Sequence, residues 1–302
     1  MTAVLGALLP LFALIAIGYV ARLVRWPGPK AWRTVEKLTY YVLFPALLFS
    51  SLASTSLAGG SAVALALAAA SVLTAASSLL APRLMPLSGP TLTSVIQGAV
   101  RPNTYVGVGA ALALWGDRGV ALAAVGLATV IPIVNIVAVM GLLRYVPRDG
   151  SQRTSPLAAL FVNPLILSCA AGLLANAVGL PLPDWLMATL KLLGQASLPL
   201  GLLAVGAALE LSALKDRTGA VASACGLKLI LSPMLAALLL ALLGVHGAAF
   251  AVAVVYMGVP TSASAYVLAA EMGGDRDAMA TIISVSTVLS ALTLPLIVFA
   301  VR

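Results

Sequence analysis

The sequence predicts an all-α membrane protein: ten transmembrane helices in two inverted five-helix repeats, with broken, crossing helices 4 and 9. Three observations predict this fold, namely long apolar runs, an internal repeat of prolines and glycines, and a mid-span proline in each of two matched runs. Of the 302 residues, 62% are hydrophobic and 9% are charged, and the mean hydropathy is +1.11. Globular domains are about 45–50% apolar and about 25% charged, so the composition excludes a soluble domain.

Ten apolar runs are each long enough to cross the membrane, because about 30 Å of hydrocarbon requires about 20 helical residues. Runs of this length are interpreted as helices, since an open strand edge is not satisfied in lipid. The first run lacks a basic segment and a cleavage site before it reaches spanning length, so we interpret it as helix 1 and not as a removed signal peptide. The predicted spans are 2–22, 34–54, 61–82, 91–115, 119–145, 156–178, 184–209, 218–243, 247–271 and 278–301.

The distribution of Lys and Arg predicts the orientation. An outside N-terminus puts 12 cations in cytoplasmic loops and leaves only Arg118 and Arg302 outside. By the positive-inside rule, both termini face outward from a plasma membrane, here a bacterial inner membrane. The formal charge of +8 is therefore attributed to topology. Because the sequence has no basic domain to contact phosphates, the expected partner is the lipid bilayer and not nucleic acid.

Helices 1 to 5 repeat as helices 6 to 10. We predict a first repeat over 1–146, a cytoplasmic linker over 147–155 and a second repeat over 156–302; five is odd, so the halves must be inverted. Inverted repeats with interrupted helices are typical of secondary transporters, which bind substrate where the interruptions meet. A shift of 154 residues aligns Pro10 with Pro164, Gly18 with Gly172 and Pro45 with Pro199, and a shift of 158 aligns Pro102 with Pro260 and 116–118 with 274–276.

The predicted helix breaks are at Pro102 in helix 4 and Pro260 in helix 9. Proline removes a backbone donor and clashes with the preceding turn. A kinked but continuous helix is the alternative for either proline alone, but the matched pair, flanked by Asn103–Thr104 and Thr261–Ser262, favours true breaks. Each break creates a half-helix N-terminus, whose free N–H groups and positive dipole favour an anion.

Five segments in order resemble the auxin efflux carrier family, which includes the plant PIN-formed carriers and bacterial carriers proposed to move dicarboxylates such as malate or malonate. The resemblance implies alternating access, a scaffold domain from helices 1, 2, 6 and 7, a transport domain from helices 3–5 and 8–10, and a homodimer. It also implies that Asn103, after the helix-4 proline, contacts a substrate carboxylate. The segments are FPALLFSSLA, RPNTYVGVGAAL, SLPLGLLAVGAALE, KLILSP and VPTSASAYVLAAE.

Two departures from the plant carriers are visible. The segment between the repeats, 146–155, replaces their long regulatory loop. A serine after their helix-2 proline is replaced by Leu48, with Ser50 nearby. We therefore expect a small organic anion other than auxin.

Polar residues at the two breaks are the candidate binding residues. Arg101 is costly inside a membrane, so it is either a counter-charge for the substrate, or a residue that caps freed carbonyls or snorkels to an interface. Lys228 has the same alternatives, with pairing to a half-helix C-terminus as a third, whereas Asn135 and Gln195 favour interhelical hydrogen bonds over ligand contacts. The predicted substrate-binding residues are Arg101, Asn103, Thr104, Tyr105, Thr261 and Ser262, with Asn135, Lys228, Gln195 and Ser50 as polar support.

No catalytic constellation, metal motif or cofactor motif is evident. His246 is isolated in a predicted loop, and Cys169 and Cys225 lie in apolar spans. We therefore expect a protein that is not an enzyme. All nine acids lie at span ends or, like Glu36, in or beside loops, so we expect electrogenic, sodium-independent anion transport. The alternatives are a sodium-coupled organic anion symporter of the bile-acid type and a non-transporting membrane sensor.

Overall fold

The computed structural model describes residues 2–54, 60–147, 164–209 and 217–301. These residues form helices joined by short turns, and the only β-pairing among them is one isolated bridge. Single π-helical turns, Thr39–Leu43 and Leu227–Leu231, join α2 to α3 and α10 to α11. The helices are α1 (Thr2–Leu23), α2 (Pro29–Leu38), α3 (Phe44–Ser54), α4 (Gly60–Ser78), α5 (Ala81–Leu84), α6 (Gly89–Val100), α7 (Thr104–Tyr145), α8 (Pro164–Ala177), α9 (Asp184–Ala207), α10 (Thr218–Gly226), α11 (Ser232–Leu242), α12 (Gly247–Met257), α13 (Ser264–Glu271) and α14 (Arg276–Val301).

Among the described residues, six helical stretches are long and apolar enough to cross a membrane. The predicted count of ten differs for several reasons: spans 4 and 9 are interrupted, spans 4 and 5 share the helix Thr104–Tyr145, and span 6 begins outside the described residues. The 12-residue α6 and the 11-residue α12 each extend only about 16–18 Å, roughly half of the hydrocarbon thickness. The six stretches are Gly6–Leu23, Gly60–Leu84, Thr104–Tyr145, Asp184–Ala207, Thr218–Leu242 and Arg276–Val301.

Helix α7 contains two predicted spans. Its 42 residues bend at Gly116, whose φ of 62° and ψ of −152° are not helical, between predicted spans 4 and 5. The predicted linker, apart from Pro147, and the start of predicted span 6 lie outside the described residues. The ten-helix inverted repeat therefore stays a prediction.

Glycines allow two helix pairs to pack backbone to backbone. A Cβ at Gly18 of α1 would collide with the Leu203 carbonyl of α9. A Cβ at Gly172 of α8 would lie 2.9 Å from the carbonyl oxygen of Phe49 in α3. These two glycines are the pair that the 154-residue shift aligns, so aligned positions make the same kind of close contact.

Asp275 joins the starts of α6, α10 and α14. Its carboxylate forms an ion pair with Arg217 and accepts hydrogen bonds from Thr91 Oγ1 (2.8 Å) and from the backbone nitrogen of Ala278 (3.1 Å). Ser94 Oγ donates to its backbone carbonyl over 2.8 Å. The side chain of Asp275 is only 12% exposed, so these contacts compensate a largely buried charge.

Candidate functional site

Two interrupted helices meet inside the molecule. The first interruption, Arg101–Asn103, separates α6 from α7, and the second, 258–263, separates α12 from α13. Each contains the proline that the sequence singled out, Pro102 or Pro260. The half-helices that follow, α7 and α13, therefore begin at the interruptions, with their positive dipole ends there.

Backbone hydrogen bonds pair the two interruptions in antiparallel fashion. The Asn103 nitrogen donates to the Pro260 carbonyl over 2.8 Å, and the Ser262 nitrogen donates to the Arg101 carbonyl over 3.0 Å. Pro102 and Thr261 face each other across this short bridge. The pairing satisfies backbone groups that the broken helices leave free, and it fixes the separation of the two breaks.

Asn103 caps the N-terminus of α7. Its Oδ1 accepts a hydrogen bond from the Val106 nitrogen over 3.2 Å. The residue is 1% exposed, and within the described residues its buried Nδ2 has no hydrogen-bond partner. An unpaired buried amide costs about 1–3 kcal/mol, so this NH₂ group is a donor prepared for an acceptor that the protein itself does not supply.

Arg101 is held between the two interruptions and α7. Its Nη2 donates to Asn135 Oδ1 over 2.9 Å and to Ser264 Oγ over 3.3 Å, and its Nη1 lies 3.5 Å from Gln97 Oε1. In the described part of the chain, no Asp or Glu forms an ion pair with Arg101. All three acceptors are neutral, so the guanidinium leaves a net positive charge beside Asn103.

Tyr105 forms the wall of the site against the neighbouring helices. Its ring packs edge-on against Phe44, with a centroid separation of 4.9 Å. Gly201 of α9 provides the room, because a Cβ there would collide with the Tyr105 ring. Glycine at 201 therefore determines the position of this aromatic wall.

These residues line a cavity of about 100 Å³ between the interruptions and helices α2, α7, α8 and α9. The predicted residues Arg101, Asn103, Thr104, Tyr105, Ser262 and Asn135 all line it. The complete lining is Glu36, Tyr40, Arg101, Pro102, Asn103, Thr104, Tyr105, Ile131, Asn135, Leu165, Ala204, Val205, Ala208, Ser262, Ala263 and Ser264.

A wider cavity of about 390 Å³ adjoins the first. The two share Glu36, Ala204, Ala208 and Ala263, so they form one path. Three arginines, Arg22, Arg25 and Arg33, line the wider cavity, which we call the basic vestibule. It is next to the loop between α1 and α2, and residues 22–37 around that loop include five cations.

Two of the predicted residues, Thr261 and Ser50, do not line either cavity. Thr261 is fully buried; its Oγ1 donates to the Gly98 carbonyl over 2.8 Å, and its nitrogen donates to Ser286 Oγ. Ser50 is 3% exposed and donates to the Leu47 carbonyl of its own helix over 3.1 Å. Both hydroxyls are used within the fold, away from the cavity surfaces.

The other two polar residues also lie outside the cavities. Gln195 is exposed on α9, because its buried neighbours Gly194 and Ser197 occupy the opposite face of the helix. Lys228 is fully buried, and its Nζ donates to the Met257 carbonyl over 2.6 Å. Of the alternatives for Lys228, the structure therefore favours pairing with a half-helix C-terminus.

Sequence reasoning missed three polar lining residues: Glu36, Tyr40 and Ser264. Glu36 and Tyr40 are four residues apart, on one face of the helix that begins at Pro29, and their spacing was the available signal. Glu36, which the sequence placed in or beside a loop, lines both cavities. Ser264 was detectable as the next serine after Ser262, two residues further along the chain.

The chain is similar to known transporters. A family model described as "Membrane transport protein" matches residues 151–298. A protein of Methanothermobacter thermautotrophicus named "Uncharacterized transporter" is 26% identical over 296 residues, which cover 95% of each chain. A protein of Rhizobium meliloti named "Putative malonate transporter" is 26% identical over 318 residues, covering 100% of this chain and 97% of that protein.

Proposed function

We propose that this chain, which belongs to the auxin efflux carrier family of membrane transport proteins, carries small organic anions such as carboxylates by alternating access. The observation that carries the proposal is the Nδ2 of Asn103, which has no hydrogen-bond partner among the described residues. It lies beside Arg101, whose hydrogen-bond acceptors there are all neutral. Membrane transport is the family's activity, and the proposal adds the substrate class.

The electrostatics of the crossing favour an anion. Helices α7 and α13 both begin at the interruptions, so two positive helix ends lie near Arg101. A carboxylate there would accept from Asn103 Nδ2 and from Arg101 donors, with Thr104, Ser262 and Ser264 within the same cavity. Thr261 supports these residues through its bond to Gly98.

The volume and charge of the path favour a small dicarboxylate. The inner cavity, at about 100 Å³, suits one compact head group, and the basic vestibule adds cations along the approach. Arginines in a cleft raise the local concentration of anions and steer them inward. The Rhizobium relative is named for malonate, which has this size and charge.

The mechanical part of the proposal follows the family resemblance. A scaffold of predicted helices 1, 2, 6 and 7 would support a transport domain of the other six, in a homodimer. Contacts of α1 with α9 and of α3 with α8 and α9 join predicted helices 1, 2, 6 and 7. With both termini outside, the basic vestibule opens to the cytoplasm.

The driving force is the membrane potential. An anion moved without a coupling cation gains about 2.3 kcal/mol per charge per 100 mV, which favours export from a cell that is negative inside. Purified protein in liposomes should therefore move radiolabelled malonate at a rate that follows an imposed potassium-diffusion potential. Replacing sodium by choline should not change that rate.

Two variants remove one cation each and make the test specific. Arg101→Gln removes the charge at the crossing, and Arg144→Gln removes an exposed charge near the end of α7. We expect only Arg101→Gln to slow malonate transport, by about tenfold or more, since a hydrogen bond to a charged group contributes about 1.5–3 kcal/mol. Transport that ignores the potential but stops without a sodium or proton gradient would contradict the proposal.

A further inference from the structure

Lys228 places a positive charge at the end of a broken helix. It lies on the π turn Leu227–Leu231, is 0% exposed, and donates from Nζ to the carbonyl of Met257 over 2.6 Å. Met257 is the last residue of α12, the half-helix that ends at the second interruption. Among the described residues, no carboxylate forms an ion pair with this lysine. Its partner is therefore the helix end.

The end of α12 requires a cation on physical grounds. A helix C-terminus carries about half a negative charge, together with carbonyls that have no partner within the helix. The Gly258 nitrogen caps the carbonyls of Val254 and Val255, and the Lys228 ammonium satisfies that of Met257. A buried ammonium costs several kcal/mol unless it is compensated, so the lysine and the helix end stabilise each other.

The two interruptions obtain their positive charge from different elements. The 158-residue shift aligns Arg101 with Val259, which is fully buried and apolar. The end of α6 receives a neutral donor, Thr261 Oγ1, and is followed directly by Arg101. The end of α12 has no cation in its own segment, so Lys228 supplies one from the adjacent α10–α11 segment.

We propose that Lys228 is a tethered cation: its ammonium occupies, at the end of α12, the position where a free monovalent cation would otherwise bind. It thereby holds the second interruption in the geometry that pairs with Asn103, and it removes the need for a dissociable cation. In this role Lys228 is a positioning residue. Its expected effect on transport rests on the proposed function, anion transport, whereas its expected effect on stability is independent of that function.

Two substitutions distinguish the effect of the lysine's charge from the effect of its side-chain volume. Lys228→Ala removes the ammonium and leaves room for a small cation, whereas Lys228→Met removes the charge but fills most of the space. Thermal unfolding in detergent, without any anion substrate, is measured in choline chloride and then with sodium, potassium, ammonium or methylammonium. Malonate uptake into liposomes is measured in the same series.

We expect that the unfolding temperature and the malonate uptake of wild type do not change with these cations. Lys228→Ala should unfold at a lower temperature in choline and take up malonate about tenfold or more slowly, since a bond from a charged donor is lost. Ammonium or methylammonium should raise its unfolding temperature in a saturable way and restore part of the uptake. Lys228→Met should take up malonate slowly, and neither its uptake nor its unfolding temperature should change when these cations are added.

The inference is overturned if no cation changes the stability of Lys228→Ala, or if Lys228→Met transports like wild type in choline. If Lys228→Ala does not fold in choline, purification with ammonium throughout tests the same point, because a tethered cation predicts folded protein there. If wild type moves no anion, only the proposed function fails. The cation-dependent unfolding of Lys228→Ala still decides whether the lysine replaces a cation.

Discussion

At the residue scale, Asn103 has two separable roles. Its Oδ1 caps α7, while its Nδ2 is buried without a partner in the described structure. Aspartate keeps an oxygen that can cap a helix but loses the NH₂ donor. The substitution Asn103→Asp therefore tests anion recognition with little change to the fold.

We expect Asn103→Asp to bind malonate at least about tenfold more weakly, because a donor to a charged group is replaced by a repelling carboxylate. Affinity is measured by titration of the purified protein, and folding is followed by thermal unfolding. Asn176→Asp is the matched control, since its Nδ2 donates to the Leu52 carbonyl away from both cavities. Equal malonate affinity in Asn103→Asp and wild type would contradict the assignment.

The sequence alone predicted part of this site. Arg101, Asn103 and Ser262 were identified because they flank prolines, a signal that is local in the chain. The buried position of Thr261 and the cavity-lining position of Glu36 were not predictable, because both depend on which element packs beside them. The bond from Thr261 to Gly98 joins residues 163 positions apart, and no local pattern encodes such a contact.

At the element scale, the helix starts of α6, α10 and α14 depend on Asp275. The carboxylate is 12% exposed and joins Arg217, Thr91 and the backbone of Ala278. Nearby Asp277 is 79% exposed and lies 3.8 Å from the same arginine. The same chemical change at these two positions compares a largely buried ion pair with an exposed one.

We expect Asp275→Asn to lower the free energy of unfolding by about 1–3 kcal/mol, because it leaves poorly exposed donors without their charged acceptor. Asp277→Asn should change it by less than about 0.5 kcal/mol, as exposed pairs contribute little. Thermal and denaturant unfolding of the two purified variants measures the difference. Equal stability of the two variants would show that the Asp275 junction does not hold these helices together.

The helices themselves were largely predictable. Prolines in apolar runs gave the interruptions near Pro102 and Pro260, and glycines that align under the 154-residue shift make close helix contacts. The π turns at Thr39–Leu43 and Leu227–Leu231 were not predictable, since each adds a residue to a turn without a Pro or Gly within it. Lys228 lies on one of them, so its direction could not be read from helical periodicity.

At the scale of the whole molecule, the wider cavity and a concentration of cationic residues lie on the same side of the protein. The basic vestibule lies beside the loop between α1 and α2, and residues 22–37 around this loop include five Lys and Arg residues. In the orientation that we propose from the positive-inside rule, this side would face the cytoplasm. The structure would then be open toward the cytoplasm.

We expect opposite labelling of two single cysteines in intact cells. In a background with Cys169 and Cys225 replaced by alanine, Asp184→Cys should react with an impermeant maleimide, whereas Lys30→Cys should react only after permeabilisation. Both native cysteines are buried, and both chosen positions are exposed. Labelling of Lys30→Cys from outside would reverse the orientation.

The pairing between the two interruptions has a consequence for evolution within this fold. Asn103 with Pro260, and Ser262 with Arg101, are joined through main-chain atoms, which every amino acid except proline can provide in full. The frame of the site is thus largely independent of the side chains that face the cavity. Such side chains can be exchanged, and the cargo changed, while the crossing persists. Relatives that share the paired breaks can therefore differ in what they carry.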